Sequence, residues 1–136
     1  MITTYTNNRD LKRIKDLNIP FVTNISREDV AKILGKSKVF FFPSIYESCP
    51  LVIYEALNAG CTIVSRNVGA VKEQLDGHGY IFDNNGQILK KLNKAFTNPL
   101  DYDKIIDRGI KFDRINQISK IEKELKIVEG RLKNAK

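Results

Sequence analysis

Two apolar periods alternate along this chain, one of two residues and one close to four. Ile2–Thr6 is a short β-prone run rich in Thr and Tyr, and after Asn7-Asn8 a helical stretch runs from Arg9 to Leu17, ended by Pro20. Phe21–Ile25 predicts a second strand. Ser26 is then placed as a helix cap, with Glu28 and Asp29 in the first turn, where acids complement the helix dipole. Val30, Ile33 and Leu34 repeat at helical spacing up to Gly35, a stop signal. Val39-Phe-Phe-Phe has no polar side, as expected of a parallel strand covered on both faces, and Pro43-Ser44 terminates it. The spacing then predicts a helix over Leu51–Asn58 ending at Gly60, a buried strand at Cys61–Ser65 and a short helix over Val68–Leu75. A strand at Gly79–Phe82, a helix over Gln87–Phe96 stopped at Pro99, and a long polar helix from Asp113 complete the series.

Strands and helices that alternate at these lengths predict an α/β fold, a Rossmann-like, largely parallel sheet with flanking helices. The length of 136 residues predicts a single domain, 1–136, with 113–136 as a terminal helix. In that helix Ile118, Ile121, Leu125, Val128 and Leu132 recur at three and four, a stripe expected to dock on its own domain or on a further one. A second copy of the chain is the other partner considered for it, as a homodimer.

Composition alters this picture little. Hydrophobic residues are 42% and charged residues 29%, which places the chain among ordinary globular domains. The longest uncharged apolar stretch, Val39–Pro43, is far below the roughly 20 residues that span a bilayer. The N-terminus has neither a basic region nor an apolar signal core, so a cytoplasmic location is expected, with membrane-peripheral attraction the only membrane role considered. The net charge of +7 raises a nucleic-acid reading, and its distribution removes it. Residues 1–40 carry eight Lys/Arg against four Asp/Glu, residues 41–110 seven against eight, and residues 111–136 eight against four. The excess is split between the two ends and has no interleaved aromatic residues, so solvated helix faces explain it and no nucleic-acid partner is expected. Cys49 and Cys61 are expected as small packed side chains, too few for a metal site or a disulfide framework. His78 sits in a turn between glycines without a catalytic partner, and Tyr46 and Tyr54 read as packing residues.

Candidate chemistry concentrates after the Phe-rich strand, because ligands of such sheets bind beyond the carboxyl ends of the strands. Glu47 lies in that loop, and residues 48–51 approach a helix N-terminus whose free N–H groups suit a phosphate. Glu55 is further into the helix, where a carboxylate can accept two hydrogen bonds from a vicinal diol such as a ribose.

The segment Pro43-Ser44-Ile45-Tyr46-Glu47-Ser48-Cys49-Pro50, continuing to Glu55-Ala56-Leu57-Asn58-Ala59-Gly60, resembles the signature of the family 4 retaining glycosyltransferases, which have the two-domain GT-B architecture. That signature runs Pro-Ser, a few residues, Glu-Gly-Phe-Gly (or Pro), then Glu-Ala, a small residue and Gly. Glu47 and Glu55 stand with seven residues between them, like that family's paired glutamates. Cys61-Thr-Ile-Val, Asn67-Val-Gly69-Ala-Val-Lys-Glu73 and Asp76-Gly77-His78-Gly79-Tyr-Ile-Phe82 continue the likeness in order. The chain departs from the pattern at Ser48-Cys49-Pro50, where Gly-Phe-Gly is commoner, and Pro50 has no N–H to donate.

The resemblance implies the nucleotide-sugar-binding half of such an enzyme, transferring a hexosyl unit with retention from a UDP- or GDP-sugar to a glycan or lipid-linked acceptor. Glu47 would be the catalytic residue, beside the donor sugar and leaving diphosphate. Ser48 and the main-chain N–H groups of Cys49, Leu51 and Val52 would hold the donor, Glu55 the ribose, and Thr23, Asn24 and Ile25 would border the nucleobase. No metal or cofactor is implied, since protein N–H groups and positive charge stabilise the diphosphate. The family's acceptor domain, and the strand–helix unit with its glycine-rich turn and Arg/Lys pair, have no counterpart in these residues, so a partner chain supplying them is expected. Two alternatives stay open: a non-catalytic binding or assembly subunit of a partner glycosyltransferase, and for Glu73 a salt bridge rather than a ligand role.

Overall fold

A computed structural model of the chain describes residues 2–3, 8–112 and 114–133. They divide into two compact units, Met1–Lys36 and Ser37–Lys136. In the first, β1 (Ile2–Thr3) and β2 (Val22–Thr23) pair in parallel, Ile2 opposite Val22, and α1 (Asn8–Asp16) connects them. The predicted second strand is thus shorter than Phe21–Ile25, and residues 4–6 of the first lie outside the described residues. Ser26 caps α2 (Arg27–Gly35) as predicted: its Oγ accepts from the Asp29 N–H at 3.1 Å and donates to the Asp29 carboxylate at 2.9 Å.

The second unit is a parallel sheet of β3 (Val39–Phe42), β4 (Thr62–Arg66) and β5 (Gly79–Phe82) in the order β3-β4-β5. Phe41 lies opposite Val64, and Val64 opposite Tyr80. With a strand on each side, Thr62–Ser65 of β4 are all buried. On one face Val64, Tyr80 and Phe82 pack with Ala95 of α5 (Ile88–Thr97), with Val39, Ile88, Leu92 and Leu100 around them. The helix α3 (Leu51–Asn58) packs on β4, burying Ile53, Ala56 and Leu57, and meets α4 (Val71–Leu75) and α6 (Tyr102–Ile110). A 3-10 turn, Asn85–Gln87, leads into α5.

Three expectations need correction. The short helix predicted over Val68–Leu75 begins only at Val71, because Asn67–Ala70 form a turn that is bonded elsewhere. The sequence reading placed no element between Pro99 and Asp113, yet α6 occupies most of that span. Its signal was present: Asp101 caps it, its Oδ1 accepting from the N–H groups of Asp103 (3.1 Å) and Lys104 (3.3 Å). The last helix, α7 (Arg114–Lys133), does not dock its stripe on its own domain in this structure: Ile118, Ile121, Leu125 and Val128 are exposed. The side chain of Leu132 lies outside the described residues. Asn116 and Gln117 tie the start of α7 to the carbonyls of Ile110 and Lys111 at 2.7 and 2.6 Å.

Arg108 joins α6 to α4. Its Nε donates to the Gln74 carbonyl at 2.9 Å and its Nη2 to the Glu73 carbonyl, while Nη1 pairs with Asp76 at 3.2 Å. These carbonyls belong to the last turn of α4 and have no intrahelical donor, so a cation satisfies both their hydrogen bonds and the helix dipole. The guanidinium also lies 4.6 Å from the Phe112 ring centre, and Phe112 stacks on Tyr54 of α3. Glu73 therefore contributes its backbone to this contact, and the ion pair is made by Asp76. The Arg108 side chain is only 10% exposed. Arg108→Ala is expected to cost about 3 kcal/mol, since it strands several acceptors. The exposed pair Lys32–Asp29 supplies the control: Lys32→Ala is expected to cost about 0.5 kcal/mol or less. Urea denaturation midpoints check both.

Candidate functional site

The loop from Pro43 to Pro50 carries the chain from the carboxyl end of β3 to α3. Ser44 organises its first half: the hydroxyl lies 3.3 Å from the Tyr46 carbonyl and 3.4 Å from Glu47 Oε1, and donates to either. Glu47 is thereby held half-buried at the mouth of the loop. The N-cap of α3 is Pro50, which makes no side-chain cap, and its first turn contains no acidic residue. The N–H groups of Leu51 and Val52 have no acceptor among the described residues, and Ile53 N donates to the Pro50 carbonyl at 3.2 Å. An uncapped helix N-terminus of this kind presents donors and partial positive charge to an anion. Glu55 follows one turn on, exposed, its carboxylate engaged by no group among the described residues.

The turn after β4 fixes this loop from beneath. Ala70 N donates to the Ser48 carbonyl at 2.8 Å. Gly69, at φ +50°, lies so close that a Cβ there would overlap the carbonyl oxygens of both Glu47 and Ser48. Gln74, buried on α4, donates its Nε2 to the Pro50 carbonyl at 3.1 Å. Arg66, at the end of β4, reaches three ways: Nε to the Pro43 carbonyl (3.4 Å), Nη1 to the Asp83 carbonyl (3.4 Å) and Nη2 to Asn85 Oδ1 (2.7 Å). Its guanidinium rests 5.2 Å from the Phe82 ring centre, so one side chain ties together the carboxyl ends of all three strands.

The structure therefore brings Glu47, Ser48, Cys49, Leu51, Val52 and Glu55 onto one loop and helix start. Thr23, Asn24 and Ile25 belong to the first unit: Thr23 ends β2, Asn24 turns the chain with φ +53°, and Ile25 precedes the cap Ser26. Sequence reasoning did not assign roles to Ser44, Arg66 or Gln74. No local signal marks the last two, since each acts on a carbonyl more than 20 positions away. Two packing expectations are corrected. Cys49 is exposed, because it precedes the helix on the loop, whereas Cys61 is buried at the start of β4 and burial pushes its thiol up. Tyr46 is exposed, whereas Tyr54 packs on Phe112 as expected. Among the described residues no three His, Cys, Asp or Glu side chains are gathered as a metal site requires.

The described residues thus form a parallel α/β sheet with an uncapped helix N-terminus and two glutamates, Glu47 and Glu55, at its carboxyl edge, the place where ligands of such sheets bind. The model of the family described as Glycosyl transferases group 1 matches residues 6–112, and the chain belongs to that family. Membership makes it a glycosyltransferase domain. No curated protein matches the chain.

Two outcomes test the geometry. Gly69→Ala is expected to cost about 3 kcal/mol, combining a strained φ with a backbone overlap. Gly77→Ala, at φ +86° with open space around it, carries the strain alone and is expected to cost about 1 kcal/mol. Equal midpoints for the two variants in denaturation would show that the Glu47–Ser48 contact is not what demands glycine. The second outcome concerns pH. Burial raises the Tyr54 pKa above its unfolded value of 10.0. Its contribution is therefore whole below pH 10.0 and is lost as pH rises through the folded value, because the unfolded chain releases the proton first. Tyr54→Phe is expected to flatten the alkaline loss of stability, read from melting temperatures on either side of pH 10.0.

Proposed function

We propose that this chain is the donor-binding domain of a family 4 retaining glycosyltransferase, transferring a hexosyl unit from a UDP- or GDP-sugar to a glycan or lipid-linked acceptor. The observation that carries this reading is the uncapped N-terminus of α3, set between Glu47 in the loop and Glu55 in the helix. The N–H groups of Cys49, Leu51 and Val52, with Ser48 beside them, receive the diphosphate and sugar hydroxyls. They stabilise negative charge as it develops on the leaving group, the electrostatic term that dominates such transfers. No metal takes part in this scheme. Glu55 holds the ribose hydroxyls and Glu47 faces the donor sugar. The acceptor is held by residues of a further domain, opposite the donor. Orienting two reactants can supply roughly 7–11 kcal/mol of a barrier, so these residues alone are expected to bind donor without transferring sugar at an enzyme's rate.

Calorimetry with UDP and GDP tests the donor site. For residues 1–136 the expected Kd is weak, about 0.1–1 mM. Glu55→Ala is expected to weaken nucleotide binding by about 1.5–3 kcal/mol, the worth of hydrogen bonds to a carboxylate. Glu47→Ala is expected to leave the free nucleotide nearly unchanged and to weaken the nucleotide sugar. Absence of heat and of any thermal shift with both nucleotides at millimolar concentration overturns the reading; unchanged binding by Glu55→Ala overturns the role of that residue.

A further inference from the structure

Ile118, Ile121, Leu125 and Val128 of α7 are 45%, 59%, 58% and 48% exposed, a row of large apolar side chains in steps of three and four residues. That step is the repeat by which one helix buries its seam against another. A helix of 20 residues is marginal in water on propensity alone and draws most of its stability from packing its apolar face. The start of α7 is bonded, since Asn116 and Gln117 hold the carbonyls of Ile110 and Lys111, yet the seam beyond it stands in water. A contiguous apolar row presented in this way marks an interaction surface.

The charges beside the seam select what covers it. With Ile118 and Leu125 at the first position of the heptad and Ile121 and Val128 at the fourth, the two flanking positions of the central heptad are Glu122 and Glu124. Both are exposed, and neither carboxylate is engaged by a group among the described residues. Lys120, Lys123 and Lys126 fall on the outer positions, away from the seam. The helix therefore carries acids where a partner helix is met and lysines where it is not. We propose that the α7 seam pairs with an amphipathic helix of another polypeptide whose own apolar row is flanked by Lys or Arg. Cations in those flanks meet Glu122 and Glu124 as the two rows interlock, the way flanking charges set partner choice between paired helices. The same placement disfavours other occupants. A second copy aligned in parallel would set Glu124 beside the copy's Glu129. An antiparallel copy centred between Ile121 and Leu125 would oppose Glu122 to Glu122 and Glu124 to Glu124. An anionic bilayer or a nucleic acid would meet these carboxylates at the border of the apolar row, with the lysines turned away. The pairing does not depend on the donor-site reading above.

Two synthetic peptides of about three heptads, alike in an Ile/Leu seam and differing only in Lys or Glu at the flanking positions, test this on the full chain. Fluorescence anisotropy of the labelled peptides reads binding. The Lys peptide is expected to bind about tenfold more tightly than the Glu peptide, with a difference that shrinks at high salt. Leu125→Asp is expected to weaken the Lys peptide by at least about tenfold while the urea midpoint of the exposed site's variant stays in place. Exchanging both carboxylates, Glu122→Lys with Glu124→Lys, is expected to reverse the preference. Binding of neither peptide, or equal binding of both, overturns the proposal. A preference unchanged by the double exchange also overturns it, by placing the contact elsewhere on the chain. A dimer of the chain alone that Leu125→Asp dissociates in sedimentation overturns it in favour of a second copy. Co-sedimentation with phosphatidylglycerol vesicles that the same substitution abolishes overturns it in favour of a bilayer.

Discussion

Two backbones meet where the turn after β4 lies on the loop after β3, and the rest of the site follows from that contact. Parallel neighbours emit their carboxyl-terminal loops side by side, so the Glu47 loop and the Asn67–Ala70 turn compete for the same space. Gly69 resolves the competition by offering no Cβ to the Glu47 and Ser48 carbonyls, and Ala70 N converts the approach into a hydrogen bond. Once the loop is held there, α3 starts after Pro50, at the carboxyl edge of the sheet. Arg66 reinforces the arrangement from the strand side, where its guanidinium spans carbonyls at the ends of β3 and β5.

The open end of α3 is a local weakness that the surroundings offset. A missing side-chain cap typically costs about 1 kcal/mol. Here Pro50 begins the helix without a cap, and its carbonyl is instead occupied by Gln74 and Ile53. Gln74 is itself fixed, because Arg108 holds the carbonyls of Glu73 and Gln74 and packs on Phe112, which stacks on Tyr54 of α3. The helix is thus secured along its length by α4 and α6 while its first N–H groups remain free. A helix end left open gives up local stability, and here the packing along α3 offsets it.

The paired glutamates illustrate how differently two chemically identical residues can be presented. Glu47 is half-buried and restrained by Ser44, whereas Glu55 is exposed and free to turn toward a diol. A restrained carboxylate suits a fixed position beside a reacting sugar, and a free one suits recognition of a nucleoside. Ile45, Tyr46 and Leu51, exposed beside them, add a third environment, so charged, hydrogen-bonding and apolar surfaces all occur within about a dozen residues of chain.

Much of this was legible in the sequence. The alternation of strands and helices, the two-faced apolarity of Val39–Phe42, the Ser26 cap and the Glu47…Glu55 spacing are local patterns, and local patterns are governed by propensity and periodicity acting over one or two turns. They determined the α/β class, the placement of the helix start and the candidate carboxylates. The α6 helix was within reach as well, through the cap at Asp101, but Pro99 and scattered polar residues obscured its short period. What only the tertiary structure decided depends on partners distant in the chain. That Gly69 is needed for a close approach, that Gln74 and Arg108 serve carbonyls, that Cys49 and Tyr46 face water while Cys61 and Tyr54 are packed, and that the stripe of α7 is exposed all follow from which surfaces meet. A residue's own type and spacing carry no record of the backbone that folds against it, and so these were settled by packing alone.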